Sequence, residues 1–400
     1  MDVNGEAKAT AIERPQAESS EGKKTRWRFS ARTIRAYSMV VALVALWIIL
    51  TVVTDGVFLA PRNLSNLIRQ TAVTGILSVG MVMVIITGQI DLSVGSMVGF
   101  AGMAAVLVQI WLHWGLIPSL LTAVGVGVLV GLFQGWLTAY AQIPSFIVTL
   151  GGLLAWRGAA KGISGGVTFP ISVQAFRALG QAYLGNTTGL VLMVLAVAAS
   201  VWVVIHQNRL RKRHGLQPWG MAGVAFRILV PAVLVVVSVL ALNSYSGVPI
   251  PVLVFATVAL AGVFVTQNTP FGRYLYAIGG NSEAAKFSGI NLRSHILMTF
   301  CIIGGLAGVA GVIYTARVGS AGPDAGTLLE LDAIAACVIG GASLMGGRGT
   351  VLGACLGALF MASLDNGMSL KNVPDFIQDI IKGAILVTAV GLDVVGRQRD

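Results

Sequence analysis

Thr87-Gly88-Gln89-Ile90-Asp91-Leu92-Ser93-Val94-Gly95-Ser96 interrupts two apolar runs, 71–87 before it and 94–112 after it. Each run approaches the roughly 20 apolar residues that an α-helix needs to cross the hydrocarbon core of a bilayer. A carboxylate at the centre of such a helix costs roughly 2.5–3.5 kcal/mol on insertion scales, so Asp91 needs a compensating environment. Glycine, aspartate and serine falling together between apolar runs predict two spans joined by a helix break.

Applied outward from this break, the same test predicts spans near 37–54, 71–87, 94–112, 118–140, 146–162 and 188–206. A second set is expected near 221–242, 249–267, 295–315, 328–346, 350–370 and 376–395. Glycines and polar residues interrupt 146–162 and 328–346, a pattern that also fits broken or re-entrant helices, so ten to twelve crossings are expected. The fold class is all-α, a polytopic transmembrane helical bundle with glycine-broken helices. Residues 37–396 form the transmembrane domain.

Composition supports this. The 400 residues are 56% hydrophobic and only 11% charged, with a mean hydropathy of +0.82. A soluble domain runs near one quarter charged, so this chain has too few ionisable groups to cover a water-facing surface. The net charge of +11 would suit nucleic acid, but the cations cluster in loops and tails beside apolar runs, as in membrane proteins. Residues 1–36 read as a disordered basic cytoplasmic tail, and 207–220, with Arg209, Arg211, Lys212 and Arg213, as a basic cytoplasmic loop. The orientation that fits these charges puts both termini, 88–93, 141–145, 268–294 and 347–349 on the cytoplasmic side. No cleavable signal peptide is apparent. Cys301, Cys337 and Cys355 lie in apolar runs without a Cys-x-x-Cys pair and read as small membrane-buried residues.

Two glycine runs have four-residue spacing: Gly127, Gly131, Gly135 and Gly349, Gly353, Gly357. That spacing lays a flat stripe on one helix face and lets a neighbouring backbone approach closely. A second glycine-rich break, Ile339 to Thr350, echoes the first loosely.

At the first break Asp91 has two open roles, capping a helix that starts near Leu92 and lining a translocation path. In 268–294, Asn281 or Ser282 is a good N-cap, Glu283 suits the first turn and Gly289 is a good stop. The resulting helix of about two turns is too short to be stable alone in water. It therefore docks on the protein's own surface or inserts into a partner. Gly162-Ile163-Ser164-Gly165 imitates a serine-protease pattern, but a nucleophilic serine needs a nearby base, and none of His113, His206, His214 and His295 lies mid-span. No phosphate-binding loop is present: the only Gly-Lys pair, Gly22-Lys23, is followed by Lys24. An ATP-driven process would need a separate nucleotide-binding subunit.

Gly88 to Ser96, Ile143-Pro144-Ser145-Phe146-Ile147-Val148-Thr149-Leu150-Gly151, Ala277 through Ile290 and the glycine-rich 339–350 segment together resemble the ribose/arabinose/xylose permease family of ABC importers. The resemblance runs from about residue 37 to 395. It is strongest to xylose-type members, through Leu331 to Cys337, Met361 to Ser369 and an insertion around 205–245. Gln89 departs from the family, where Gly or Glu is expected.

The resemblance implies a permease subunit, not an enzyme, that moves a monosaccharide, D-xylose, across the bacterial inner membrane by alternating access. It implies a second permease copy, a periplasmic sugar-binding protein and a cytoplasmic ATPase with tandem nucleotide-binding domains. This chain would bind no cofactor, ATP residing on the ATPase. The ATPase-coupling contact carries over to Asn281, Ser282, Glu283, Ala284, Ala285 and Gly289, and the substrate path to Asp91, Ser93, Phe146 and Thr149. The alternative is an ion-coupled secondary sugar transporter that uses Asp91.

Overall fold

The computed structural model describes residues 31–397, and the side chains of 39–391. It begins with α1 (Ala31–Val53), a 3-10 turn (Val57–Leu59), α2 (Pro61–Ile86), α3 (Val94–Trp111), α4 (Leu116–Ala139) and α5 (Ser145–Ser164). Next come β1 (Phe169–Pro170), α6 (Gln174–Gln181), β2 (Tyr183–Leu184), α7 (Asn186–Arg213), α8 (Met221–Asn243), β3 (Val248–Pro249) and α9 (Ile250–Asn268). The chain ends with α10 (Pro270–Gly280), α11 (Ser282–Phe287), α12 (Leu292–Val318), β4 (Ser320–Ala321), α13 (Leu329–Ile339), α14 (Val351–Leu370) and α15 (Asp375–Arg397).

Among the described residues, α2, α3, α4, α7, α8, α9, α12 and α14 are long and apolar enough to cross a membrane, and Met39–Val53 of α1 adds a shorter apolar stretch. α5 and α15 have spanning length, 20 and 23 residues. Their charged residues, Arg157 and Lys161 in one and Asp379 and Lys382 in the other, set them apart. The polytopic helical bundle expected from the sequence is what the structure contains.

Two expectations need correction, on the tail and the loops, and two alternatives left open are resolved. Of the tail 1–36, residues 31–36 are helical and open α1; alanine and arginine are good helix formers and extend the apolar span outward. The expected disorder of 1–30 lies outside the described residues. The stretch 146–162 is not broken, because α5 runs through it. The stretch 328–346 is broken: α13 has 11 residues, about 16 Å at 1.5 Å per residue, half of a hydrocarbon core roughly 30 Å thick. Gly340 and Gly341 end it, Gly341 in the left-handed region at φ 86°. The expected loops also shrink. α7 continues to Arg213, and 268–294 folds into α10, α11 and the start of α12.

Glycine sets how closely the spans approach. A Cβ on Gly127 would strike the Gly304 carbonyl, and one on Gly131 the Phe300 carbonyl, so α4 and α12 meet backbone to backbone. Gly353 lies in the same way against Gly340, just past α13, and Gly357 against Ala336 of α13. Both stripes read from the sequence are therefore packing surfaces, where van der Waals contact replaces the hydrophobic force that lipid cannot supply. The core lies around α2, whose residues from Thr71 to Ile86 are all buried. Cys337 is buried and donates to the Ser78 carbonyl at 3.4 Å, while Cys301 and Cys355 are half-buried; all three are free.

The bundle has two chemically distinct ends. At one, β1 pairs antiparallel with β4 (Phe169↔Ala321) and β2 with β3 (Leu184↔Val248). α12, which ends just before β4, begins just after α11. Its 27 residues, about 40 Å long, place α11 at the opposite end.

Candidate functional site

α2 stops at Ile86 because Thr87 turns out of the helix and Gly88 adopts φ 77°. The chain stays non-helical until Val94, where α3 begins. Inside this break Asp91 is fully buried. Its Oδ1 accepts from the Ser93 backbone N–H at 2.8 Å and from Ser93 Oγ at 2.6 Å. The structure therefore corrects the capping role: Asp91 closes a turn one step ahead of the helix, and Ser93 occupies the N-cap position without a side-chain cap bond.

Ser93 Oγ also lies 3.0 Å from Gln134 Oε1 of α4 and 3.3 Å from Met97 Sδ. Its single proton can serve only one acceptor at a time, and the shortest contact is to Asp91. α5 closes the break from the other side. Ser145 Oγ accepts from the Ile90 N–H at 3.3 Å, and Thr149 Oγ1 donates to the Ser145 carbonyl at 2.8 Å, with the Ile90 carbonyl at 3.3 Å.

Asp91, Ser93 and Thr149 are thus brought into one sealed polar cluster. Phe146 does not join it: it is 52% exposed, on an α5 face shared with Ile147, Leu150 and Leu154.

Sequence reasoning missed the other members of this cluster. Gln134 and Glu330 are buried, and Gln134 Nε2, Trp156 Nε1, Asp91 Oδ2 and Glu330 Oε2 have no hydrogen-bond partner among the described residues. The first two lie against Gly152, and Glu330 lies against Gly95 in the first turn of α3. Gln134 was detectable as a lone amide in an apolar span; its convergence with Trp156 was not.

A second polar group, buried at Asp332 and half-buried at Asp365 and Lys382, joins the three C-terminal helices. Lys382 of α15 reaches Asp365 of α14 at 2.9 Å and Asp332 of α13 at 3.3 Å. A cavity of about 210 Å³ lies beside it, lined by Asp332, Asp379 and Lys382 and by apolar side chains including Leu331 and Met361. No cluster of three or more His, Cys, Asp or Glu suited to a metal occurs among the described residues. Ser164 Oγ donates to the Lys161 carbonyl at 3.2 Å, within the last turn of α5.

The predicted short helix is α11. Asn281, rather than Ser282, caps it, with Oδ1 accepting from the Ala284 N–H at 2.9 Å. Glu283 lies in its first turn and Lys286 in its last, each matching the helix dipole. Gly289 at φ 82° ends it, donating to the Lys286 carbonyl at 3.0 Å. Asn281, Ser282, Glu283, Ala284 and Gly289 are exposed, whereas Ala285 is buried and fastens the helix to the bundle. Phe287, which sequence reasoning did not single out, is 89% exposed. A bare phenyl ring on a polar loop is a mark of contact with another surface.

A bundle of spanning helices, a sealed break inside it and a short docked helix at one end define a membrane permease component. The chain matches the family described as branched-chain amino acid transport system / permease component over residues 63–210 and 218–390, and it belongs to that family. It is 46% identical over 367 residues to the xylose transport system permease protein of Escherichia coli (strain K12), covering 92% of this chain and 93% of the relative. Identity to the xylose transport system permease protein of Haemophilus influenzae is 43% over 373 residues, covering 93% and 100%. The ribose import permease protein of Escherichia coli (strain K12) is 32% identical over 354 residues, covering 88% and 92%. No solved structure matches. The resemblance to sugar permeases holds, and the chain is a multi-pass transport subunit rather than an enzyme.

Proposed function

We propose that this chain is the permease subunit of an ATP-driven importer that carries D-xylose across a bacterial inner membrane by alternating access. The relatives named for xylose and ribose transport support a pentose as cargo. The cations Arg209, Arg211, Lys212 and Arg213 at the α11 end of α7 support a cytoplasmic position for that end and for both termini. A sugar-binding protein would then dock at the strand-paired end, and a second permease copy would complete the path.

The observation that carries this reading is α11, a capped helix fixed by one buried alanine and presenting a bare phenylalanine. Such a helix can transmit a push because its cap and its anchor hold it to the bundle while its outer face engages the ATPase. ATP is bound and hydrolysed on that partner, and this chain needs no cofactor of its own. Asn281, Ser282, Glu283, Ala284 and Gly289 form the contact surface, joined by Phe287, with Ala285 as the anchor. Asp91, Ser93 and Thr149 would lie beside the substrate path, and Phe146 would reach it only from the exposed α5 face, where the second copy would complete it.

The test is ATP-dependent xylose uptake into vesicles carrying the permease, its ATPase and the binding protein. Phe287→Asp should lower uptake by at least about tenfold, the loss expected for an interface anchor worth about 1.4 kcal/mol or more. Insertion should be unchanged. Undiminished uptake would remove α11 from the coupling path. Uptake should also survive collapse of the membrane potential while ATP is present; its loss would favour the ion-coupled alternative through Asp91.

A further inference from the structure

The α7–α8 hairpin differs from every other pair of spans in what covers it. Almost none of the apolar window of α7 is buried in the protomer, and none of that of α8. At the α11 end the hairpin closes in a short tip, 214–220. Around that tip stand Arg209, Lys212, Arg213 and Arg227, all exposed, and Arg211, half-buried. The chain contains no Asp or Glu between Asp91 and Glu283, and among the described residues none of these five cations forms an ion pair with a carboxylate.

The tip is also built, not merely charged. The Trp219 backbone N–H donates to Asn208 Oδ1 at 2.8 Å, and Arg211 Nε donates to the Gln217 carbonyl at 3.2 Å. The Arg227 guanidinium lies 4.1 Å and that of Arg211 5.2 Å from the Trp219 ring centroid. Beside this cationic sandwich Leu216 and Met221 are bare, Met221 at 92% exposure. Positive charge, an indole and bare aliphatic side chains at the mouth of two bilayer-crossing helices match the layered chemistry of a membrane interface. Phosphates lie there above the start of the acyl chains, and tryptophan sits at headgroup level.

We propose that the α7–α8 tip is a binding site for the phosphate of anionic phospholipids in the leaflet on the α11 side. Arg209, Lys212 and Arg213 supply the charge, Arg211 and Arg227 hold the Trp219 ring at headgroup depth, and Leu216 and Met221 enter the acyl boundary.

The test uses the full chain in phosphatidylcholine bilayers containing a minor fraction of phosphatidylglycerol, with bromine on the acyl chains of one lipid or the other. Bromine quenches nearby tryptophan, and the Trp219 contribution is the difference between wild type and Trp219→Phe. Brominated phosphatidylglycerol should quench Trp219 as though enriched at least about fivefold over its bulk fraction, what a single cation near the surface contributes. Raising the salt from low to high should erode that enrichment. The triple substitution Arg209→Gln, Lys212→Gln, Arg213→Gln should lower it at least about fivefold, whereas Arg209→Lys with Arg213→Lys should keep it. The lysine variant reports on charge without loss of folding. Quenching that follows the bulk lipid composition in wild type would assign the tip to an acidic protein partner and overturn the proposal. Enrichment undiminished in the triple glutamine variant would overturn it too.

Discussion

The two helix breaks, 87–93 and 340–350, are held by different balances of side chain and backbone. Beyond the turn that ends α2, the first relies on side chains: Asp91, Ser93, Ser145 and Thr149 supply its hydrogen bonds, and Gln134 lies within reach. The second leans mainly on backbone, with the Tyr276 hydroxyl donating to the Gly349 carbonyl at 2.9 Å and Ser343 Oγ accepting from the Met345 N–H at 3.3 Å. Gly347 donates to the Ile86 carbonyl at 2.8 Å, Ser343 to the Arg348 carbonyl at 3.0 Å, and Gly346 to the Ser343 carbonyl at 2.9 Å. Gly346 and Gly347 adopt φ 87° and 70°, which only glycine does without cost. The two breaks touch, since Ile86 is the last helical residue before the first. One break fails when atoms are removed and the other when atoms are added.

That contrast sets the order of expected effects. The largest belongs to the arm leading into the second break. Lys382→Met leaves the buried Asp332 and the half-buried Asp365 without their cation and should cost about 3 kcal/mol, the low end for removing one partner of a buried ion pair. Adding Asp332→Asn and Asp365→Asn should recover most of that loss in thermal unfolding in detergent, because the stranded charges are then gone.

Next comes the contact between the breaks. A Cβ on Gly279 would overlap the Ile86 carbonyl and the Gly347 N–H, so Gly279→Val should cost about 2–3 kcal/mol through overpacking. A matching change in the thermal midpoint checks it, and a neutral result would mean that the second break yields freely.

The smallest effects sharpen the first break. Asp91→Ala removes the acceptor shared by Ser93 N and Oγ and should cost about 2 kcal/mol. Asp91→Asn keeps Oδ1 and should cost about 1 kcal/mol or less. Equal effects from the two substitutions would mean that the charge, not the acceptor, holds the turn.

Much of this architecture was legible in the sequence, for a reason that also marks its limit. Span positions follow from apolar length alone, because lipid demands about 20 such residues whatever the neighbours are. The cap and stop of α11 follow from residues a few positions apart, Asn281 and Gly289. What eluded reading depends on distant partners. Asp332 and Lys382 are 50 positions apart, and nothing local to either names the other. The glycines within 146–162 and 328–346 looked alike as interruptions. In α5, Gly151, Gly158 and Gly162 face open space and leave the helix intact, whereas Gly340 and Gly341 end α13. Phe287 reads as an ordinary apolar residue until its surroundings are known.

The strand pair at the foot of the α7–α8 hairpin has an architectural consequence. Leu184 and Val248 are direct partners across β2 and β3, so the 63 residues between them, 185–247, leave and re-enter the bundle at one point. Excising that lobe and joining its ends with a tight turn would leave the course of every other helix unchanged. The hairpin is a natural graft site, where a whole pair of spans can be swapped or tagged without rethreading the pore.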